Sequence, residues 1–304
     1  RSLALLRKNI FPPRLKPNNM KSQTLQQVPW KVDPRDKKFT EIVFGAGILP
    51  EFRKTLYRAR QPIKNQGVSL SCTAQGTTLA SEYQEKEELS AAWIWKEVCK
   101  QLGTAVPNGA DWRVACKIHI KKGALKQSLA KYSFPKDDYQ VIGNWQNWDE
   151  VPLETTEIHK KAAFVPIPKV GDWFDSVKAA LQNGYEKNQV VMIASAWYYE
   201  WGGVDIPTVY TNISGYHFHT FIDFDSDESG EFIWGQNSYG ENMGDRGCQK
   251  WRRETVNEML SPRYATAIVW EDLTEEQIKR AKEETVFGRI QRAIIDIWYI
   301  ISTL

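Results

Sequence analysis

The middle of the chain has a helical spacing of small and apolar residues. Five of them recur at intervals of 4, 3, 1 and 3 and would share one helical face: Cys72, Gly76, Leu79, Ala80 and Tyr83. This periodicity predicts a helix over residues 72–86, with the hydroxyl of Ser69 or Ser71 capping its start. Similar patterns predict three further helices over residues 90–100, 112–121 and 172–183, the last ending at Gly184.

The pattern changes after residue 184. Four stretches there are rich in β-branched and aromatic residues and are bounded by turn-forming residues, which predicts strands over residues 190–198, 217–224, 231–234 and 263–270. Because the helices come first and the strands second, the sequence predicts an α+β fold with two unlike halves. The helical half extends to about residue 165 and the β half covers residues 166–272.

The two ends of the chain differ from this body. Residues 1–60 contain repeated proline turns and predict an N-terminal extension that could act as a pro-segment. Residues 273–304 predict a helical tail, because Thr274 and Gln277 form a capping box. The tail carries an apolar stripe at spacings of 3, 4, 3 and 4: Phe287, Ile290, Ile294, Ile297 and Ile301. Such a stripe suits a membrane surface, a protein partner or packing on its own domain, and all three stay open.

Composition narrows the classes of function. The 304 residues are 42% hydrophobic, and 40 basic and 37 acidic residues leave a net charge of +3. This is the composition of a globular protein, and no basic stripe outside the N-terminal stretch indicates a nucleic-acid partner. The four cysteines include no CxxC pair and have no histidine at zinc-finger spacing, so no metal or organic cofactor is expected. No apolar run reaches the roughly 18–20 residues of a membrane span.

Cys72 would stand at the first turn of the first predicted helix. Unpaired backbone N–H groups and the positive end of the helix dipole favour a thiolate there, and a lowered pKa makes a cysteine nucleophilic. The alternative interpretation is a small buried apolar residue, which is the commonest role of a free cysteine.

Three short stretches, one around Cys72 and two in the β half, carry residue types that occur together in one known family in the same order along the chain. Residues 62–74 read PIKNQGVSLSCTA, residues 216–224 read YHFHTFIDF, and residues 237–247 read NSYGENMGDRG. Gln66 stands six residues before Cys72, and His217 follows Cys72 by 145 residues (217 − 72). Over about residues 48–270 the sequence resembles the papain-like cysteine peptidases, whose nucleophile, histidine and asparagine segments have this order and spacing.

The resemblance implies a two-lobed papain-like fold with an active-site cleft between its lobes. It implies Cys72 as the nucleophile, His217 as the base and Asn237 as the residue that orients the imidazole. Gln66 would donate to the oxyanion together with the backbone N–H of Cys72. The implied reaction is hydrolysis of a peptide or protein substrate through a thioester acyl-enzyme, without a cofactor. Three further residues are candidates for the substrate cleft: Leu70, Ser71 and Tyr239.

The histidine assignment has a rival two residues away. In a strand, His217 and His219 point to the same face, so either could approach the cysteine. Phe224 stands seven residues after His217, where the family has the tyrosine that ends its histidine strand. This register and the distance along the chain to Asn237 favour His217 as the base. A metal-binding His-x-His pair is the less favoured alternative. The two remaining histidines, His119 and His159, are interpreted as ordinary surface residues.

The sequence also departs from the family pattern. Ser69 replaces a disulfide cysteine, Leu70 replaces a cleft glycine, and Thr73 replaces an aromatic residue beside the nucleophile. The double-glycine stretch that binds substrate backbone is not recognisable, and residues 107–110 are a poor substitute for it. These departures are typical of a divergent member of bacterial or viral type. They leave open an inactive relative, a binding or structural protein on this scaffold, and a transpeptidase or deamidase.

Overall fold

A computed structural model of the chain describes residues 49–149, 158–198, 200–208, 210–262 and 265–271. The extension before residue 49 and the tail after residue 271, with its apolar stripe, lie outside these ranges. Within them, no helix combines the length and the apolar character needed to cross a bilayer.

The first half of the described chain is mainly helical. Its helices are α1 (Cys72–Glu85), α2 (Ala91–Leu102), α3 (Trp112–Lys121) and the short α4 (Tyr139–Gly143). Ser90 and Asp111 cap α2 and α3, because their side chains accept hydrogen bonds from the backbone N–H groups of Trp93 and Arg113. The helices bury a core of aliphatic and tryptophan side chains, to which a two-stranded ladder of β1 (Ala124–Leu125) and β2 (Ile158–His159) is attached.

The second half forms an antiparallel sheet of six strands in the order β3-β8-β4-β5-β6-β7. The strands are β3 (Ala163–Pro166), β4 (Val191–Tyr198), β5 (Ile213–Asp227), β6 (Gly230–Gln236), β7 (Cys248–Arg252) and β8 (Thr266–Glu271). Helices α5 (Trp173–Asn183) and α6 (Arg253–Leu260) pack on this lobe. Helices therefore precede strands, which confirms the α+β prediction.

A close approach between α1 and β5 joins the two halves. Gly76 faces Phe218, and a Cβ at residue 76 would come within 2.5 Å of the Phe218 ring. Since only glycine permits this distance, the helix can lie directly on the strand. The contact places the start of α1, with Cys72, against the strand that carries His217, and both side chains line one groove.

Two local predictions are wrong. Ser71 is the N-cap residue of α1, but its hydroxyl caps no backbone N–H; it bonds to the hydroxyl of Ser69 at 2.7 Å instead. His119 is fully buried between α1 and the sheet, where its ring packs 5.2 Å from that of Trp270. Burial lowers the pKa of His119 to about 3, so it is an uncharged core residue and not a surface histidine.

A buried ion pair links Arg58, in the segment before α1, to Asp223 in the β lobe. The guanidinium of Arg58 donates to Asp223 Oδ1 at 3.1 Å and to the carbonyl oxygens of Ile222 and Leu181, at 2.6 and 2.7 Å. The Arg58 backbone N–H donates to Asp223 Oδ2 at 2.9 Å. Residues 49–60, assigned to the extension by sequence, thus include a side chain, Arg58, that is buried in the β lobe.

Asp223→Ala is expected to lower the free energy of unfolding by about 3–5 kcal/mol, because it leaves a buried guanidinium without its counter-charge. Urea unfolding followed by tryptophan fluorescence measures this. Asp225→Ala is the matched control, because the Asp225 carboxylate lies on the same strand and accepts a bond from the next backbone N–H. The double variant Arg58→Met/Asp223→Leu should recover much of the loss. A loss below about 1 kcal/mol for Asp223→Ala would contradict the assignment.

Candidate active site

Cys72 lies in a groove between the helical half and the sheet. Its side chain is 8% exposed, whereas Cys99, Cys116 and Cys248 are fully buried, and all four cysteines are free thiols. The groove has about 390 Å³ of space, including the part at its mouth that is open to solvent. Nine residues line it: Gln66, Leu70, Cys72, Asn108, Gly109, Ala110, Tyr216, His217 and Tyr239.

His217 projects from β5 into this groove. Its Nε2 is 2.8 Å from Asn237 Oδ1, and its ring meets that of Trp197 edge-on with centroids 4.7 Å apart. Because the amide oxygen can only accept, Nε2 carries the hydrogen in the neutral ring and Nδ1 carries the lone pair. The nitrogen that can take up a proton is therefore Nδ1.

Hydrogen bonds from residues other than His217 fix the orientation of the Asn237 amide. Its Nδ2 donates to Gln249 Oε1 at 3.1 Å, and Gln249 Nε2 donates to the carbonyl oxygens of Trp201 and Gly203. The backbone N–H of Ser238 donates to Asn237 Oδ1 at 2.7 Å. These bonds hold the amide oxygen towards the imidazole, so the tautomer of His217 is set by residues outside the groove.

Tyr239 covers the imidazole of His217. The two rings are stacked at 4.6 Å with an angle of 13°, and the phenolic oxygen is 3.2 Å from His217 Nδ1. The Tyr239 side chain is 36% exposed and forms part of the groove wall. It therefore shields the imidazole ring from water.

Gln66 is held in the groove that Cys72 also lines by three hydrogen bonds. Its backbone N–H donates to Ser238 O at 2.8 Å, its Oε1 accepts from Ser238 Oγ at 2.7 Å, and its Nε2 donates to Ser69 O at 2.8 Å. Since the amide nitrogen has two hydrogens, one remains for a group in the groove. The start of α1 supplies further donors, because no side chain caps it.

The three cleft candidates differ in their positions. Leu70 and Tyr239 line the groove. Ser71 does not, because its side chain is fully buried and its Oγ accepts from Gln75 Nε2 at 3.2 Å. The structure therefore removes Ser71 from the candidate cleft.

Part of the groove wall is formed by a stretch that sequence reasoning undervalued. Asn108, Gly109 and Ala110, part of the segment that seemed a poor substitute, line it directly before the α3 cap. Gly109 has a φ of +84°, and no other part of the described chain lies within 4 Å of the place where a Cβ would stand, so its backbone is open to the groove. Tyr216 also lines the groove, and its only sequence signal is its position before His217.

Burial sets the electrostatics of the pair. Desolvation raises the pKa of Cys72 to about 11, although hydrogen bonds from the backbone at Phe218, Thr73 and Cys72 act to lower it. Desolvation also lowers the pKa of His217 to about 4, against the hydrogen bond to Asn237. Desolvation thus favours the neutral thiol and the neutral imidazole, and it opposes the thiolate that the N–H donors at the helix terminus favour.

His219 lies behind His217 and away from the groove. Its ring stacks on Trp251 at 4.9 Å and is 6.0 Å from the ring of His217, and burial lowers its pKa well below the usual range. The two histidines share a face, as their spacing predicts. Within the described ranges, no three histidine, cysteine or carboxylate side chains come together as metal ligands would.

Comparison with known proteins places the fold. No family model matches the sequence, and no curated protein matches it. Among solved structures, xylellain, a cysteine protease from Xylella fastidiosa, has a TM-score of 0.61 at 18% identity, over 81% of this chain and 95% of its own. Procathepsin L 3 of Tenebrio molitor larval midgut has a TM-score of 0.56 at 17% identity, over 76% and 78%. ProCathepsin B S9 from Trypanosoma congolense has a TM-score of 0.55 at 13% identity, over 81% of this chain and 82% of its own.

The chain therefore has the papain-like fold, as the sequence predicted. Xylellain, which shares this fold, is a cysteine protease.

Proposed function

We propose that this protein is a cysteine-type peptidase that hydrolyses peptide bonds. The observation that carries the proposal is that Cys72, at the start of α1, shares one groove with His217, whose Nε2 bonds to Asn237. A nucleophile, a base and a group that orients the base are the parts that acyl transfer to sulfur requires. The cysteine proteases among the solved structures of this fold support the same class.

The proposed reaction begins with proton transfer from the Cys72 thiol to His217 Nδ1. The sulfur then attacks the substrate carbonyl carbon, and the Cys72 backbone N–H and Gln66 Nε2 donate to the resulting oxyanion. His217 returns the proton to the amine as the C–N bond breaks, which leaves a thioester on Cys72. A water molecule loses a proton to His217 and attacks the thioester, and the free acid and the thiol are released.

The substrate is proposed to be an extended peptide segment in the groove. Leu70 and Ala110 supply apolar surface on two sides, and the open backbone at Gly109 can pair with a substrate main chain. Leu70 stands where the family has glycine, so we expect a narrower cleft beside the nucleophile. That the protein is a divergent peptidase of bacterial or viral type stays a prediction. A membrane surface or protein partner for the apolar stripe over residues 287–301 also stays a prediction.

A peptide-library digest with and without iodoacetamide tests this function. We expect the untreated protein to cleave peptides, and cleavage to stop in proportion to carboxamidomethylation of Cys72, measured by peptide mapping. The other three thiols are the internal control, because their full burial should leave them unlabelled in the folded protein.

Two outcomes would contradict the proposal. Absence of cleavage from every library peptide would favour an inactive or binding protein on this scaffold. Products joined to an acceptor amine, or deamidated side chains without chain cleavage, would favour a transpeptidase or a deamidase.

A further inference from the structure

We infer that Gln249 is a positioning residue for His217, through which two backbone carbonyl groups outside the groove determine the reactivity of the imidazole. The inference rests on the proposed function, and it extends the catalytic unit beyond the side chains that line the groove. Gln249 lies on β7, is 1% exposed and is not among the groove-lining residues.

The direction of the hydrogen bonds is determined at the end that lies farthest from the imidazole. Gln249 Nε2 is 2.7 Å from Trp201 O and 3.0 Å from Gly203 O. A backbone carbonyl oxygen can only accept, so both hydrogens of the Gln249 amide point to these two oxygens. The reversed amide would place its own oxygen against them. Gln249 Oε1 therefore points the other way, towards Asn237.

From Gln249 the bonds lead to the imidazole in one direction only. Asn237 Nδ2 donates to Gln249 Oε1 at 3.1 Å, so the Asn237 amide presents its Oδ1 to His217 Nε2 at 2.8 Å. Nε2 must then carry the hydrogen of the neutral ring, and the lone pair stays on Nδ1. The two carbonyl groups thus select the tautomer of His217 through two intervening amides.

The segment that supplies these carbonyl groups is itself paired with β7. The backbone N–H of Lys250 donates to Val204 O at 2.7 Å, and the backbone N–H of Ile206 donates to Lys250 O at 3.0 Å. Residues 201–206 therefore follow the strand directly beside Gln249. Backbone pairing holds the two acceptors in place, so they can serve as a fixed reference for the amides.

The position of Gln249 does not demand a polar side chain for packing. The other buried residues of β7 are Cys248 and Trp251, and an apolar side chain of equal length could fill the same space. Burial of an amide costs free energy unless its polar groups are bonded. Here those bonds lead to Asn237 on one side and to the two carbonyl groups on the other, which assigns the amide to orientation.

Ser238 supports the same orientation of Asn237 from the backbone. Its N–H donates to Asn237 Oδ1 at 2.7 Å. Loss of Gln249 should therefore mix the two orientations of the Asn237 amide and not simply reverse them. In the reversed share, Nδ2 faces His217 Nε2, the ring hydrogen moves to Nδ1, and Nδ1 can no longer take up the thiol proton.

Gln249→Met tests the inference, because it keeps the length of the side chain and removes the amide. Two-bond ¹H–¹⁵N correlations of the imidazole in ¹⁵N-labelled protein show which ring nitrogen carries the hydrogen. We expect Nε2–H in the wild type and a mixture of the two tautomers in the variant. We also expect kcat for peptide cleavage to fall about 10- to 100-fold, the range for partners that orient functional histidines, with KM within about twofold.

Two further variants separate orientation from packing. In Gln249→Glu the carboxyl group stays protonated, because burial and two facing carbonyl oxygens disfavour its charge; it can still accept from Asn237. It should recover most of kcat, whereas a packing role predicts that methionine is tolerated better. Gln189→Met removes another buried glutamine, whose Nε2 donates to Trp270 O at 2.7 Å, and should leave the tautomer and kcat unchanged.

A double-mutant cycle with Asn237→Ala shows whether Gln249 acts through Asn237. Without the Asn237 amide, Gln249→Met has nothing to reorient, so the double variant should have the kcat of Asn237→Ala alone. Urea unfolding of each variant measures any loss of stability separately. A further loss of kcat in the double variant would overturn the inference.

An unchanged His217 tautomer in Gln249→Met would also overturn the inference, as would a glutamate variant with no more activity than the methionine variant. The tautomer can be measured without peptide cleavage. A mixed tautomer in Gln249→Met, from a protein whose wild type cleaves nothing, would support the role of Gln249 and reject the peptidase proposal. Cleavage by the wild type, with the tautomer unchanged in the variant, would do the opposite.

Discussion

Replacing Cys72 by alanine is expected to lower kcat for peptide hydrolysis by about 10⁶-fold, which corresponds to about 8 kcal/mol of transition-state stabilisation. The variant has no atom that can form the acyl bond, so the remaining groove can only bind the peptide and polarise its carbonyl. KM should change little, because the groove walls around residue 72 stay in place.

The measurement is a progress curve on a peptide cleaved by the wild type, with mass spectrometry of the products. Cys99→Ala is the matched control, because this thiol lies in the helical core on α2 and is fully buried. It can reduce stability by leaving a small cavity, but it should leave kcat unchanged. Hydrolysis by Cys72→Ala above about 1% of the wild-type rate, well over the residual level of a disabled nucleophile, would exclude Cys72 as the nucleophile.

Periodicity located the elements that carry most of the candidate site. The helix from Cys72 has small and apolar residues at helical spacing, and the strand containing His217 is rich in aromatic residues. Both elements lie between the two halves, so residues 72–83 and 217–224 are buried, polar side chains included. The strand is longer than predicted at both ends: β5 covers Ile213–Asp227 and extends to Asp227 near the hairpin turn. Polar residues there carried no apolar signal, although backbone pairing with β6 continues.

Two of the elements that sequence reasoning missed, β7 and α6, carry charged residues. In β7, Lys250 and Arg252 pair with Asp227 across the sheet, so the buried Cys248 and Trp251 are masked by basic neighbours. Helix α6 follows directly and begins with Arg253. The buried residues of α6 are Thr255, Val256, Met259 and Leu260, and this short apolar pattern is too weak to predict a helix from the sequence. In a single sequence, charged residues such as Lys250 and Arg252 suggest a loop, because the partner that neutralises them on another strand cannot be seen.

Spacing along the chain could nominate Gln66, Cys72, His217 and Asn237, but it could not give their protonation. The pKa of a thiol at a helix start depends on how deeply the tertiary fold buries it, and burial outweighs the helix terminus at Cys72. The same limit applies to Tyr239. A tyrosine in place of tryptophan preserves aromatic cover, but only the folded geometry shows that its ring stacks on that of His217.

Replacing His217 by phenylalanine is expected to reduce kcat about as much as replacing Cys72, by about 10⁵- to 10⁶-fold, because a thiol without a base stays protonated at neutral pH. The double variant Cys72→Ala/His217→Phe should be no slower than either single variant, since the two residues act as one unit. Additive losses would show that they act independently and would exclude a nucleophile–base pair.

The matched control for this prediction is His219→Phe. Neither ring nitrogen of His219 has a hydrogen-bond partner in the described part of the chain, and the ring stacks on Trp251 within the β lobe. A phenyl ring can take this place without leaving a polar atom unpaired, so the variant should retain both kcat and stability. If His219→Phe lost activity while His217→Phe kept it, the base would be His219, and the Asn237 hydrogen bond would be structural. The outcome therefore assigns the base between two histidines that share one face of β5, which spacing alone cannot do.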